Sequence, residues 1–121
     1  MATDPRRTLG AAGEDLVADW YLGAGYRVLD RNWRCREGEL DLVVARPGEV
    51  VFCEVKTRRT TTFGAPVEAV TVTKQRRLRV LASQWLAAHP GAHARDLRFD
   101  VASVFAPRGR EIVVDVIEGA F

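Results

Sequence analysis

Gly38-Glu39-Leu40-Asp41-Leu42-Val43-Val44-Ala45-Arg46-Pro47-Gly48-Glu49-Val50-Val51-Phe52-Cys53-Glu54-Val55-Lys56-Thr57 decides the fold. Two apolar runs flank Arg46-Pro47-Gly48-Glu49. Pro suits the first central position of a β-turn and Gly the second. A symmetric hairpin about this turn sets Val43 against Phe52, Asp41 against Glu54 and Glu39 against Lys56. Strand side chains alternate, so all six share one face. Asp41 and Glu54 then have Cβ atoms about 5 Å apart, where like charges repel. Glu54 and Lys56 lie about 6.5 Å apart along their strand. Charges inside an otherwise apolar sheet cost free energy unless they are paired or bind a metal. A divalent cation between the two carboxylates would turn repulsion into coordination. Mg²⁺ suits them, since it takes one or two protein carboxylates and keeps several waters. A bulge near the turn would shift the pairing by one residue and exchange the faces.

The other reading of Asp41, Glu54 and Lys56 is a solvent-facing ladder of ion pairs, each worth little. Two points weigh against it. Asp is depleted in strands, and Val43 and Phe52 on the same face want cover rather than water. From the residues alone, both readings stay open.

Working outward, the 121 residues are 47% hydrophobic, which fits one domain with one real core, spanning 1–121. Residues 1–7 read as a flexible basic start. Thr8 is read as the cap of a helix running to about Leu22, with Leu9, Ala12, Leu16 and Trp20 as its core stripe. Tyr26 to Leu29 reads as a strand and Asn32 to Glu37 as an Arg-rich connection. After the hairpin, Arg58 to Gly64 is a polar loop, and Ala65 to Val70 reads as a short helical turn. A second long helix starts at Thr71 or Thr73 and ends at Pro90-Gly91, with Leu78, Leu81, Ala82, Trp85 and Leu86 facing the core. Leu97 to Phe105 and Glu111 to Ile117 are strand-like runs about Pro107-Arg108-Gly109. The order is helix, three strands, helix, two strands: an α/β domain with one mixed sheet flanked by helices.

The net charge of +2 permits nucleic-acid binding without arguing for it. No apolar run has membrane-spanning length and the N-terminus has no signal-peptide pattern. Cys35 and Cys53 lack metal-finger spacing, and Cys53 should point to the buried face opposite Glu54. A reducing, cytoplasmic setting is the expectation.

Glu14 shares its helical side with Gly10, Ala11, Val17, Ala18 and Tyr21, all small or apolar. The residues alone favour an ordinary helix-surface carboxylate near an N-terminal end. Lys74, Gln75, Arg76, Arg77 and Arg79 crowd the start of the second helix, where free amides and the dipole attract phosphate. The plainer reading is a solvated face. Arg58 and Arg59 follow the Glu54-Val55-Lys56 strand, and Arg31, Arg34 and Arg36 precede the hairpin. Three basic clusters around an acidic pair form the pattern a phosphodiester substrate requires. Arg98 and Asp100 read as a structural ion pair, with phosphate contact as the other role open to Arg98. His89 and His93 receive no catalytic part. Neither Ser83 nor Ser103 sits on a nucleophile elbow.

Asp41, twelve residues and then Glu54-Val55-Lys56 resembles the PD-(D/E)XK nuclease superfamily. A closer resemblance lies in Gly13-Glu14-Asp15, Arg31-Asn32, Gly38-Glu39-Leu40-Asp41, Phe52-Cys53-Glu54-Val55-Lys56-Thr57-Arg58, Phe63-Gly64, Lys74 and Arg98-Phe99-Asp100. Together these resemble the YraN-like family of bacterial proteins, related by fold to archaeal Holliday-junction resolvases. The resemblance implies a restriction-endonuclease-like core. It implies Asp41 and Glu54 as ligands of Mg²⁺ or Mn²⁺, the Val55 main-chain carbonyl as a third and Glu14 as a further one. Lys56 would orient or deprotonate the attacking water. Arg58 and Lys74 would stand on the phosphate side, with Arg77 and Arg36 extending a nucleic-acid surface. Leu40 stands where many superfamily members have Pro. The expected activity is metal-dependent hydrolysis of DNA, including branched or single-stranded DNA. The alternative is a nucleic-acid-binding module with the same fold and little catalysis. The modest charge leaves room for a homodimer or a partner protein.

Overall fold

The computed structural model describes residues 5–59 and 70–121, with side chains from residue 9 onward. Its elements are α1 (Pro5–Gly23), β1 (Arg27–Cys35), β2 (Gly38–Arg46), β3 (Glu49–Arg58), α2 (Val72–Ala88), β4 (Asp96–Phe105) and β5 (Val113–Ile117). The strands form one sheet in the order β1-β2-β3-β4-β5. All neighbours are antiparallel except β3 and β4, which run parallel. A parallel pair needs a long crossover, and α2 lies within it. The expected α/β class, with a mixed sheet flanked by helices, is what the chain adopts.

The hairpin forms about Pro47-Gly48 as its turn chemistry dictates, with Gly48 at φ 81°. Arg46 pairs with Glu49, Val43 with Phe52 and Leu42 with Cys53. Two apolar clusters sandwich the sheet. On the α2 side, Val43, Phe52 and Phe99 meet Leu78, Leu81 and Trp85. On the α1 side, Leu42, Val44, Val51 and Cys53 meet Val17, Ala18 and Tyr21. Cys53 is buried on the face expected for it.

Three expectations are corrected. Residues 5–7 are helical rather than a loose start. Pro5 opens α1, where a missing amide hydrogen costs nothing and φ is already helical; residues 1–4 lie outside the described part. Thr8 therefore sits inside the helix. Second, α1 does not bury Leu9, Ala12, Leu16 and Trp20 as a stripe: Trp20 is 36% exposed and Ala12 is exposed, while Val17, Ala18 and Tyr21 are buried. The helix lays the side carrying Gly13, Val17, Ala18 and Tyr21 on the sheet, with Gly13 close against Thr57 of β3. Third, β1 does not end at Leu29. It continues through the Arg-rich segment to Cys35. A register irregularity between Val28 and Asp30 and a left-handed Asn32, at φ 51°, let the pairing run on. Asn is one of the few side chains that tolerate that conformation. The polar loop after Arg59 and the turn expected at 65–70 fall almost wholly outside the described residues.

The second helix matches its reading. Thr71 caps it, its hydroxyl accepting the Lys74 amide at 3.2 Å. Leu78, Leu81, Ala82 and Trp85 are buried. Arg98 and Asp100 form the expected structural ion pair, 2.8 Å apart.

Candidate active site

Asp41 stands where the β2–β3 ladder ends. The pairing runs from Arg46 and Glu49 to Leu42 and Cys53. Beyond it, the Val55 amide donates to Asp41 Oδ2 at 2.9 Å. A carboxylate thus takes the place of a main-chain acceptor. Leu40 and Val43 lie in the same α2-side cluster, while Leu42 lies in the opposite one. Side-chain alternation therefore slips at Asp41, and the expected pairing of Glu39 with Lys56 does not form. Glu39 pairs instead with Arg34 of β1, at 3.3 Å between Nε and Oε2.

Glu54 is buried on the adjoining strand. Its Oε1 receives two ammonium groups, Lys74 Nζ at 2.7 Å and Lys56 Nζ at 3.2 Å. Burial, followed by the charge of Glu54, pushes Asp41 up to about 7, against the Val55 amide, which favours the ionised form. Burial and the neighbouring Lys74 hold the Lys56 amine below its ordinary range. Burial also works against the Lys74 ammonium, yet its bonds to Glu54 and Lys56 outweigh that and leave its pKa raised. Lys74 thus holds its proton more firmly than a free lysine does, and Lys56 less firmly.

Asp41, Glu54, Lys74 and Arg77 line a pocket of about 260 Å³, together with Leu78 and Leu81 of α2. Arg77 is exposed at its rim, and Arg36 is exposed in the β1–β2 turn, two residues before Gly38, which also lines the pocket. Arg58 closes β3 opposite Phe105. Arg31 is drawn into ion pairs with Asp15 at 2.6 Å and Glu14 at 4.0 Å.

Glu14 is not the ordinary surface carboxylate its residues alone favoured. Its side chain is 15% exposed, and its charge helps to raise Asp41. Burial raises Glu14 above its usual pKa, opposed by a hydrogen bond from Asn32 and by the Arg31 charge. Among the described residues, no three His, Cys, Asp or Glu side chains gather as a ready metal cage. The close donor set is the Asp41 and Glu54 pair.

Gly13 brings Glu14 there. A Cβ at Gly13 would lie 2.1 Å from Thr57 Oγ1. That hydroxyl is buried with no N–H or O–H partner among the described residues. A hydrogen on the Gly13 Cα therefore points at the oxygen, a weak Cα–H···O contact. Gly13→Ala should destabilise the protein by roughly 2 kcal/mol, as overpacking does. Thr57→Ala in the same chain should recover most of this in urea melts; no recovery would show that the contact does not set the helix position.

Two features escaped the sequence reading: Lys74 bonding Glu54 directly, and the left-handed Asn32 beside Glu14. The first had a signal in the Thr71 cap, which fixes Lys74 in the first turn of α2. The second had one in Asn itself, the residue type most at ease with positive φ.

The profile of the family described as "Uncharacterised protein family UPF0102" matches residues 13–104, which include all of Glu14, Asp41, Glu54, Lys56 and Lys74. The chain is 53% identical over 114 residues to a UPF0102 protein of Frankia casuarinae, covering 93% of this chain and 95% of that one. It is 52% identical over 117 residues to a UPF0102 protein of Mycolicibacterium vanbaalenii, covering 97% and 96%. Among solved structures, SfsA of Pyrococcus furiosus in complex with Ca²⁺ overlaps 90% of this chain and 62% of its own, with a TM-score of 0.39 and 13% identity. That overlap is too slight to carry an argument. With the profile spanning most of the chain and relatives above half identity over nearly all of it, the chain belongs to the UPF0102, YraN-like family.

Proposed function

We propose that this protein is a metal-dependent phosphodiester hydrolase acting on DNA, built on a restriction-endonuclease-like core. The observation that carries the reading is the buried Glu54 beside Asp41, with two lysines on one of its oxygens. The pair fits Mg²⁺ or Mn²⁺. Both are hard oxygen donors, and their repulsion, seen in the raised Asp41, is what a divalent cation would relieve. Asp41 and Glu54 would hold the ion, with the Val55 carbonyl and Glu14 as the further ligands the family resemblance implies. Bound there, it would polarise a phosphoryl oxygen and lower the pKa of a coordinated water.

The chain's own residues supply the rest. Lys56, held below its ordinary pKa, exchanges a proton more readily than a free lysine and orients water on the Glu54 side. Lys74 and Arg77 put positive charge on the pocket wall, where a scissile phosphate gains negative charge. Arg36 and Arg58 extend the backbone contact, which gives affinity without sequence preference. The described lining of the pocket is charged and aliphatic, with Lys74 and Arg77 as its cations, which suits a substrate read through its backbone.

The test is cleavage of linear, nicked and four-way-junction DNA. Wild type should cut with Mg²⁺ or Mn²⁺ and not with chelator. Glu54→Ala should lose about a thousandfold or more, the scale of a lost electrostatic contact in a dry site. Equal residual cleavage by both proteins would identify a contaminant and overturn the reading. Binding without cleavage in any metal would favour the nucleic-acid-binding module.

A further inference from the structure

Glu54 Oε1 is a crowded atom. Lys74 reaches it from α2 at 2.7 Å, and Lys56 reaches it along its own strand at 3.2 Å. An ionised carboxylate oxygen has roughly two lone-pair sites, so the two ammonium groups fill those of Oε1, and an ion that takes this oxygen must displace one of them. The lysines are not equivalent. Lys56 is fixed two residues from Glu54 on β3. Lys74 sits in the first turn of α2, at the wall of the pocket beside Arg77, and its side chain is 32% exposed. A lysine is a compact point charge on a flexible stem, so Lys74 can leave Glu54 and still face the pocket.

We infer that Lys74 is a stand-in cation: it neutralises Glu54 in the metal-free protein, and a divalent ion displaces it toward the phosphate-binding wall. This inference rests on the reading of Asp41 and Glu54 as metal ligands. It adds a coupling that the ligand pair alone does not have. Without metal, Glu54 holds Lys74 back from phosphate. With metal, the ammonium is released at the place where a phosphate would lie. Metal and phosphodiester then strengthen each other's binding, and the effect is reciprocal. The exchange also holds the charge of a buried carboxylate balanced in both states, which a low-dielectric site requires.

Mn²⁺ binding, measured by calorimetry without nucleic acid, tests this directly. Glu54→Gln should lose the site. Lys74→Gln and Lys74→Met should bind Mn²⁺ about fivefold or more tightly than wild type, because no internal cation has to leave; that factor is the low end of typical coupling between sites. In wild type with ¹³C-labelled lysines, Mg²⁺ should shift the Lys74 Cε resonance, identified by its loss in Lys74→Gln. Unchanged or weaker Mn²⁺ binding in both Lys74 variants would overturn the stand-in role and leave the metal site standing. Absence of any Glu54-dependent Mn²⁺ binding would overturn the inference together with the metal reading. Tighter binding in the variants with no cleavage of any DNA would uphold the inference and overturn the hydrolase reading alone.

Discussion

Asp41→Asn should make the metal-free protein more stable at pH 8 while removing metal-dependent cleavage. The two effects share one cause. Burial and the Glu54 charge raise Asp41 from 3.8 to about 7 in the folded chain. In the unfolded chain it titrates near its ordinary value. Between about pH 4 and pH 7 the folded state therefore holds a proton that the unfolded state has lost. Stability contributed by this group falls as pH rises through that window, and the full penalty is present above it. A shift of this size corresponds to roughly 4 kcal/mol as a ceiling. Asn removes the charge but keeps a carbonyl oxygen for the Val55 amide, so a gain of about 2 kcal/mol is expected. The measurement is urea unfolding of both proteins in chelator from pH 4 to pH 8. Carboxylates away from the site cancel in the comparison, so the difference between the two curves reports Asp41 together with the neighbours its charge acts on, Glu54 first. Curves that run parallel across the window would show that Asp41 carries no such penalty. Saturating Mg²⁺ should close the gap from the wild-type side, since only the carboxylate gains from the ion.

Asp100→Ala should cost about 3–5 kcal/mol, the scale seen when one partner of a buried ion pair is removed. Asp100 is 0% exposed. It accepts from Arg98 Nε at 2.8 Å and Nη2 at 2.9 Å, from the Gly119 amide at 3.0 Å and from the Tyr21 hydroxyl. These contacts join α1, β4 and the chain just past β5. The hydrogen bonds to Asp100 hold the Arg98 guanidinium above its ordinary range. Without Asp100, Arg98 keeps Glu49, at 2.6 Å, but Tyr21 is left with a buried hydroxyl and Gly119 with an unpaired amide. Urea melts give the number. A loss below about 1 kcal/mol would mean that water reaches the cluster and satisfies it. Tyr21→Phe should cost less, about 2 kcal/mol, because it removes one of the donors to the buried carboxylate and leaves the rest.

The sheet and both helices were legible because their signals are local. Pro47-Gly48 fixed a turn, and the turn fixed the opposed residues of β2 and β3 from Arg46 and Glu49 as far as Leu42 and Cys53, short of the pairs expected at Asp41 and Glu39. The stripe from Leu78 to Trp85 repeats at helical spacing and has one apolar side, so α2 could be oriented. In α1 the same logic misled. Trp20 and Leu16 were expected inside, yet the side carrying Gly13, Val17, Ala18 and Tyr21 was buried. Periodicity reports which faces are apolar and does not choose between two of them. β1 ran past its expected end because Asn32 could take a backbone conformation that no periodicity encodes. At the site, Asp41, Glu54 and Lys56 were visible as charges in a strand setting. Glu14 stood out from the residues as a lone carboxylate on a small-residue face, but only the resemblance turned the balance toward a site role, since the face that aims it was the one misjudged. The grip of Lys74 on Glu54 joins residues twenty apart in the chain, across a crossover whose path no local pattern gives.

The Pro47-Gly48 turn has one consequence beyond shape. It lies at the far end of the hairpin from Asp41 and Glu54, and no substrate held in their pocket would touch it. Yet it sets the register that runs from Arg46 and Glu49 to Leu42 and Cys53, the last paired residues before the two carboxylates. Surface loops commonly gain or lose residues over evolution with little effect. Here a single inserted residue would slide that ladder by one step and exchange the faces of one strand, so the composition of this loop is free to drift while its length is not.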